Sequence, residues 1–166
     1  MIPSDHFVKF YSEIFKYLQK KGNGALKGYY DTIAEGQKDH LLKLFKEKGL
    51  TGMKEYWDRI IFEENCDADA LLIEGKYYSL IMHGCPSLSK VLDNDAGACD
   101  VYCTHCPGWV LPLIDAAGFY CVYDMVGNDI PRCVSRIFAK LEDAQAYREV
   151  ALKRHNNNPE MVLCNF

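Results

Sequence analysis

Apolar residues recur three and four apart from the start of the chain, as Phe7, Phe10, Tyr11, Ile14, Phe15 and Leu18, the spacing that lines one face of an α-helix. Ser4 supplies an N-cap, and Gly22 and Gly24 supply a stop. A second helical stretch, 25–34, leads to Gly36, and a third, 38–48, sets Leu41, Leu42, Leu44 and Phe45 toward one side before Gly49. Thr51 opens a fourth through Met53, Tyr56, Trp57, Ile60 and Ile61, with Glu55, Asp58, Glu63 and Glu64 elsewhere on its surface.

The pattern changes at Asp67. Segments 71–74 and 77–83 read as strands joined by a tight turn at Gly75 and Lys76. His83 and Cys85 close the second strand, and Pro86 begins a short helix through Leu92 that ends in the turn residues Asn94, Asp95, Ala96 and Gly97. A longer helix, 101–117, is stopped by Gly118 and followed by the alternation of Phe119, Cys121 and Tyr123. Asn128 and Asp129 turn the chain into a strand over 132–138, a last helix covers 142–155, and the polar run from Asn156 to Pro159 predicts a mobile tail. Like elements are grouped, so the expected class is α+β: N-terminal helices, then an antiparallel sheet built from two hairpins, with helices packed on one face. We expect one domain over 1–166, comprising a helical part (1–65), a mixed cysteine-rich part (66–140) and a C-terminal helix and tail (141–166).

Hydrophobic residues make up 49% of the chain, charged residues 25%, and the net charge is -4, so nothing draws the chain to a polyanion and nucleic acid is not an expected partner. The longest apolar run, 109–117, is broken by Pro112 and Asp115, which leaves no membrane span. The first residues pass straight into a charged amphipathic segment, so a cytoplasmic protein with reduced thiols is expected. The expected partner is a small-molecule substrate or ligand.

One central stretch concentrates the reactive side chains: His83, Cys85, Cys99, Cys103, His105, Cys106 and Cys121. Cysteine and histidine serve both as nucleophile and base and as soft metal ligands. Cys85 sits at a strand-to-helix junction where free backbone N–H groups stabilise a thiolate, so it is the candidate nucleophile. His83, two residues earlier on the same strand face, and His105 are its candidate bases. Cys103 and Cys106 form a C-x-x-C which, with Cys85 or His83 and Cys133, makes a candidate site for zinc or another transition metal. Cys66, Cys121 and Cys164 read as structural and Cys99 stays open; Trp57, Tyr102 and Trp109 read as core, and Arg132 and Arg136 as surface residues.

The order strand, Cys85-Pro86, short helix, Tyr102-Cys103-Thr104-His105-Cys106, helix, Gly118, strand, turn, Cys133-Val134-Ser135-Arg136-Ile137 resembles the C-terminal half of the bacterial L-2-amino-thiazoline-4-carboxylic acid hydrolase group. Residues 52–57, Gly-Met-Lys-Glu-Tyr-Trp, are similar to anaerobe proteins of that wider group. The resemblance spans roughly residues 50–138 and implies site roles for Cys85, Cys103 and Cys133. It departs at Cys106, where the family carries an acidic residue, and in the shorter helical first half. A more distant similarity is to the small ligand-binding domain named after a vinyl reductase, with its α+β outline and cysteine-bordered pocket. The implied function is a cysteine-dependent hydrolase cleaving a C–N or C=N bond of a small heterocyclic substrate. The alternative is a non-catalytic small-molecule, metal or redox-sensing module.

Overall fold

Helix α1 (Pro3–Lys20) packs on α2 (Asn23–Gly36), and a π-turn at Lys38–Leu42 runs into α3 (Lys43–Glu63). The computed structural model describes residues 3–93, 97–127 and 129–166, with the backbone alone at 3–5 and at 23. The cap expected at Ser4, the turn at Asn94, Asp95 and Ala96, and Asn128 of the second turn lie outside the described residues or side chains. In α1, Phe15 is fully buried whereas Phe7 and Phe10, at the edge of the apolar stripe, are more than 60% exposed (63% and 62%). The two helices expected around Gly49 run as one bent element, because Gly49 takes φ 57° and ψ -138°. A Cβ there would meet the Phe119 ring at 3.2 Å, so only glycine fits both the bend and the contact.

Strands β1 (Asp67–Ile73) and β2 (Tyr77–Gly84) form the first hairpin, followed by α4 (Pro86–Asp93), a 3-10 turn (Tyr102–Thr104) and α5 (His105–Ala116). Strands β3 (Tyr120–Met125) and β4 (Cys133–Phe138) form the second, and α6 (Leu141–Arg154) and a short β5 (Val162–Cys164) end the chain. The antiparallel sheet runs β1-β2-β4-β3-β5, which confirms the α+β class with N-terminal helices ahead of the sheet. On one face Tyr78, Cys121 and Ile137 meet Phe45, Met53 and Trp57 of α3 and Leu113 and Ile114 of α5. Trp57 stacks between Phe45 and Tyr78 at centroid distances of 5.6 and 5.7 Å. Helix α6 crosses to the other face, where Ala144 and Ala151 cover Val122, Phe138 and Val162.

The tail expected to be mobile is ordered. Asn156 and Asn157 take φ 53° and 61°, a left-handed conformation that asparagine tolerates, and turn the chain back after α6. Strand β5 then pairs with β3 in the register Val122↔Cys164, and Asn165 accepts the Cys121 N–H at 2.7 Å and donates to the Phe119 carbonyl at 2.9 Å. Beneath them the buried carboxylate of Asp124 holds Arg154 and, at 2.5 Å, His155. Among the described residues no helix is long and apolar enough to cross a membrane.

Candidate functional site

Cys133 begins the central strand β4 and pairs with Met82 of β2 on one side and Met125 of β3 on the other. Residues paired across antiparallel strands share a face, so Cys133, Tyr123 and Cys121 all point to the α5 side. Cys85 sits one residue beyond β2, its backbone N–H donating to the Pro131 carbonyl at 2.7 Å, which ties it to the loop feeding β4. Its sulfur accepts the Leu88 N–H of α4 at 3.5 Å. Cys103 and Cys106 come from the 3-10 turn and the first turn of α5. Gly108 lets this end of α5 approach α2, since a Cβ there would lie 2.5 Å from the Tyr30 ring.

Together Cys85, Cys103, Cys106 and Cys133 line a chamber of about 30 Å³ with His105 and Tyr123. The Tyr123 hydroxyl lies 3.5 Å from Cys133 Sγ, and Cys103 donates to the Gly127 carbonyl at 3.7 Å. His105 is fixed by its own turn: Nδ1–H donates to the Tyr102 carbonyl at 2.5 Å, so Nε2 is the acceptor and faces Cys106 Sγ at 3.2 Å. Burial dominates the electrostatics. It pushes Cys106 up to about 11 and Cys103 and Cys133 up to about 12, and raises Cys85, while it drives His105 down to about 4. At neutral pH the chamber therefore holds four neutral thiols and a neutral imidazole.

His83 does not join them. Strand β2 ends at Gly84, so Cys85 has left the pleat and the two-residue spacing no longer places both side chains on one face. His83 points to the opposite side, 44% exposed, and meets Asp69 Oδ2 at 2.9 Å. Cys99 is buried in the cluster around α1, α2 and α4, and Cys164 lies on β5. Cys121 is fully buried against Ser135. Arg132, expected at the surface, is exposed yet borders the chamber, while Arg136 lies over the Tyr147 ring at 4.2 Å on the far face.

A second cavity, of about 290 Å³, lies between α3, α5 and the sheet, lined by Trp57, Ile60, Leu80, Met82 and Trp109, and Cys106 and Tyr123 form its wall toward the thiols. Both tryptophans thus line a cavity as well as pack. A cleft of about 390 Å³ beside α1 and α4 reaches Cys85 and Cys66 from the other direction. Tyr123 and Gln37, which also lines the second cavity, were not expected at a site. The alternation of Cys121 and Tyr123 carried a signal for the first; nothing in the sequence marked the second.

All eight cysteines are reduced thiols, and among the described residues no three His, Cys, Asp or Glu side chains form a ready metal-ligand group. No family model, curated protein or solved structure matches the chain, so the resemblance to the thiazoline hydrolase group rests on the short motifs alone.

Proposed function

We propose that this protein is a non-catalytic sensing module in which the chamber thiols exchange their protons for one soft metal ion of the zinc or copper(I) class. The observation that carries the reading is that Cys85, Cys103, Cys106 and Cys133, from three segments of the chain, line one chamber of about 30 Å³. A water needs ~10–15 Å³ of such space and a small-molecule pocket ~300 Å³ or more, so the chamber suits an atom and not a heterocycle. Thiolates select zinc and copper(I), and four protein ligands close a site against substrate. The Leu88 N–H on Cys85 and the Tyr123 hydroxyl beside Cys133 are groups that support metal-bound thiolates. Since the four sulfurs do not converge on a common point, capture requires the chamber to contract, and that movement is the signal.

Metal analysis and thiol counting on untagged protein purified without oxygen test this reading. One ion per chain is expected, with four thiols released by a chelator; the Cys103→Ala/Cys133→Ala protein should lose the ion and Cys164→Ala should keep it. Metal-free protein that takes up neither zinc nor copper(I) on titration sinks the proposal.

The hydrogen bond between His105 Nε2 and Cys106 Sγ favours a second reading, the cysteine-dependent cleavage of a carbon-nitrogen bond, with Cys106 as nucleophile in place of Cys85. Its cost is protonation. With the thiol near 11 and the imidazole near 4, moving the proton is uphill by roughly 10 kcal/mol before the attraction of the two charges is counted. That cost places sensing first.

A further inference from the structure

We infer that the ion taken by the thiol chamber is copper(I), and that the Met125 thioether joins the chamber thiolates as a ligand to it. This rests on the metal reading above and narrows it from the soft ions as a class to one of them. Met125 is buried and lines the chamber. It ends β3 directly opposite Cys133 of β4, and partners across an antiparallel pair share a face with their Cβ atoms ~4.5–5.5 Å apart. Strand alternation agrees, since Met125 lies two residues beyond Tyr123, whose hydroxyl is 3.5 Å from Cys133 Sγ.

The thioether is the donor that separates the two ions. Zinc draws its protein ligands from thiolate, imidazole and carboxylate, whereas copper(I), softer and singly charged, also takes the neutral sulfur of methionine. Among the described residues no Asp or Glu lines the chamber, and its one imidazole is engaged at both nitrogens, by the Tyr102 carbonyl at 2.5 Å and Cys106 Sγ at 3.2 Å. The donor that the chamber adds to its four cysteines is therefore one that favours copper(I). Met82 pairs with Cys133 from the other side, on β2, but borders the 290 Å³ cavity and the cleft instead of the chamber. It provides a control of the same residue type at the same register position.

The full chain, reduced and free of oxygen, is titrated with copper(I) against bicinchoninate and, separately, with zinc against a chromogenic chelator. Met125→Leu nearly conserves volume and should keep the fold, which thermal unfolding of the metal-free variant checks. It should weaken copper(I) at least about tenfold while zinc affinity moves less than about threefold, and Met82→Leu should leave both ions within that narrower range. Selenomethionine in place of all five methionines gives a readout that needs no variant to fold. Copper-edge X-ray absorption of that copper-loaded chain should show a selenium neighbour, and Met125→Leu in the same background should remove it. A copper-loaded selenomethionine chain without a selenium neighbour overturns the inference and leaves the metal reading standing. So does full copper(I) affinity in Met125→Leu, an equal loss of both ions in that variant, an equal loss of copper(I) in Met82→Leu, or uptake of zinc without copper(I). A chain that takes up neither ion removes the metal reading, and this inference with it.

Discussion

His105 shows how one buried residue ties stability to pH. Its pKa falls from about 6.5 to about 4 because burial penalises the imidazolium more than the Tyr102 carbonyl supports it. Below pH 6.5 the unfolded chain binds a proton that the folded chain refuses, so stability is present above that value and is lost as pH falls toward 4, by about 3 kcal/mol from this group. Urea unfolding measured across pH 4 to 7 should show this loss, and His105→Phe should flatten it. The thiols act at the other end. Their folded pKa values are raised by burial, Cys106 to about 11 and Cys103 and Cys133 to about 12, so the unfolded chain releases protons first and stability falls as pH climbs from about 9 through those values. Iodoacetamide should therefore label these three in native protein at pH 7 far more slowly than in urea-unfolded protein. Equal rates would remove the desolvated chamber.

At the scale of elements, close approach and the last strand decide the arrangement. Gly108→Ala drives a methyl group into the Tyr30 ring where α5 meets α2, and should cost about 1–3 kcal/mol in unfolding free energy while weakening metal uptake, because α5 carries Cys106. Gly28→Ala in α2 meets nothing within 4 Å and should instead stabilise by about 0.5–1 kcal/mol. Asp124→Ala leaves Arg154 and His155 without the carboxylate that anchors the end of α6, and because Arg154 is half exposed and stays solvated, a loss of about 1–3 kcal/mol is expected in the same experiment. The helices and both hairpins were readable from period and turn residues. Strand β5 was not, since Val162–Cys164 is too short to show alternation and its polar approach reads as a free end until Asn165 finds the backbone of β3.

For the whole molecule, the thiol chamber and the apolar cavity share Cys106 and Tyr123 as one wall, so what fills one space bears on the other. Zinc at a hundredfold its Kd should stabilise the chain by about 2.7 kcal/mol, and a chelator should reverse the gain in Tm. A loaded protein indifferent to chelation would place the metal elsewhere. The sequence by itself determined the α+β class and the order of helices and strands as far as α6, and it offered Cys85, Cys103, Cys106 and Cys133 as candidates, because period, caps and residue chemistry are local. The sequence offered His105 as a base for Cys85, whereas the structure turns its Nε2 to Cys106 Sγ at 3.2 Å. Only the tertiary structure decided that Cys85 leaves the strand before its side chain is set, so that His83 falls on the opposite face. Tertiary packing also joined Tyr123 to the thiols and buried Gln37 Oε1 and Trp109 Nε1 without a hydrogen-bond partner. Those outcomes depend on where β2 stops and how α2, α3 and α5 close over the sheet, which are contacts between distant segments that no local pattern encodes.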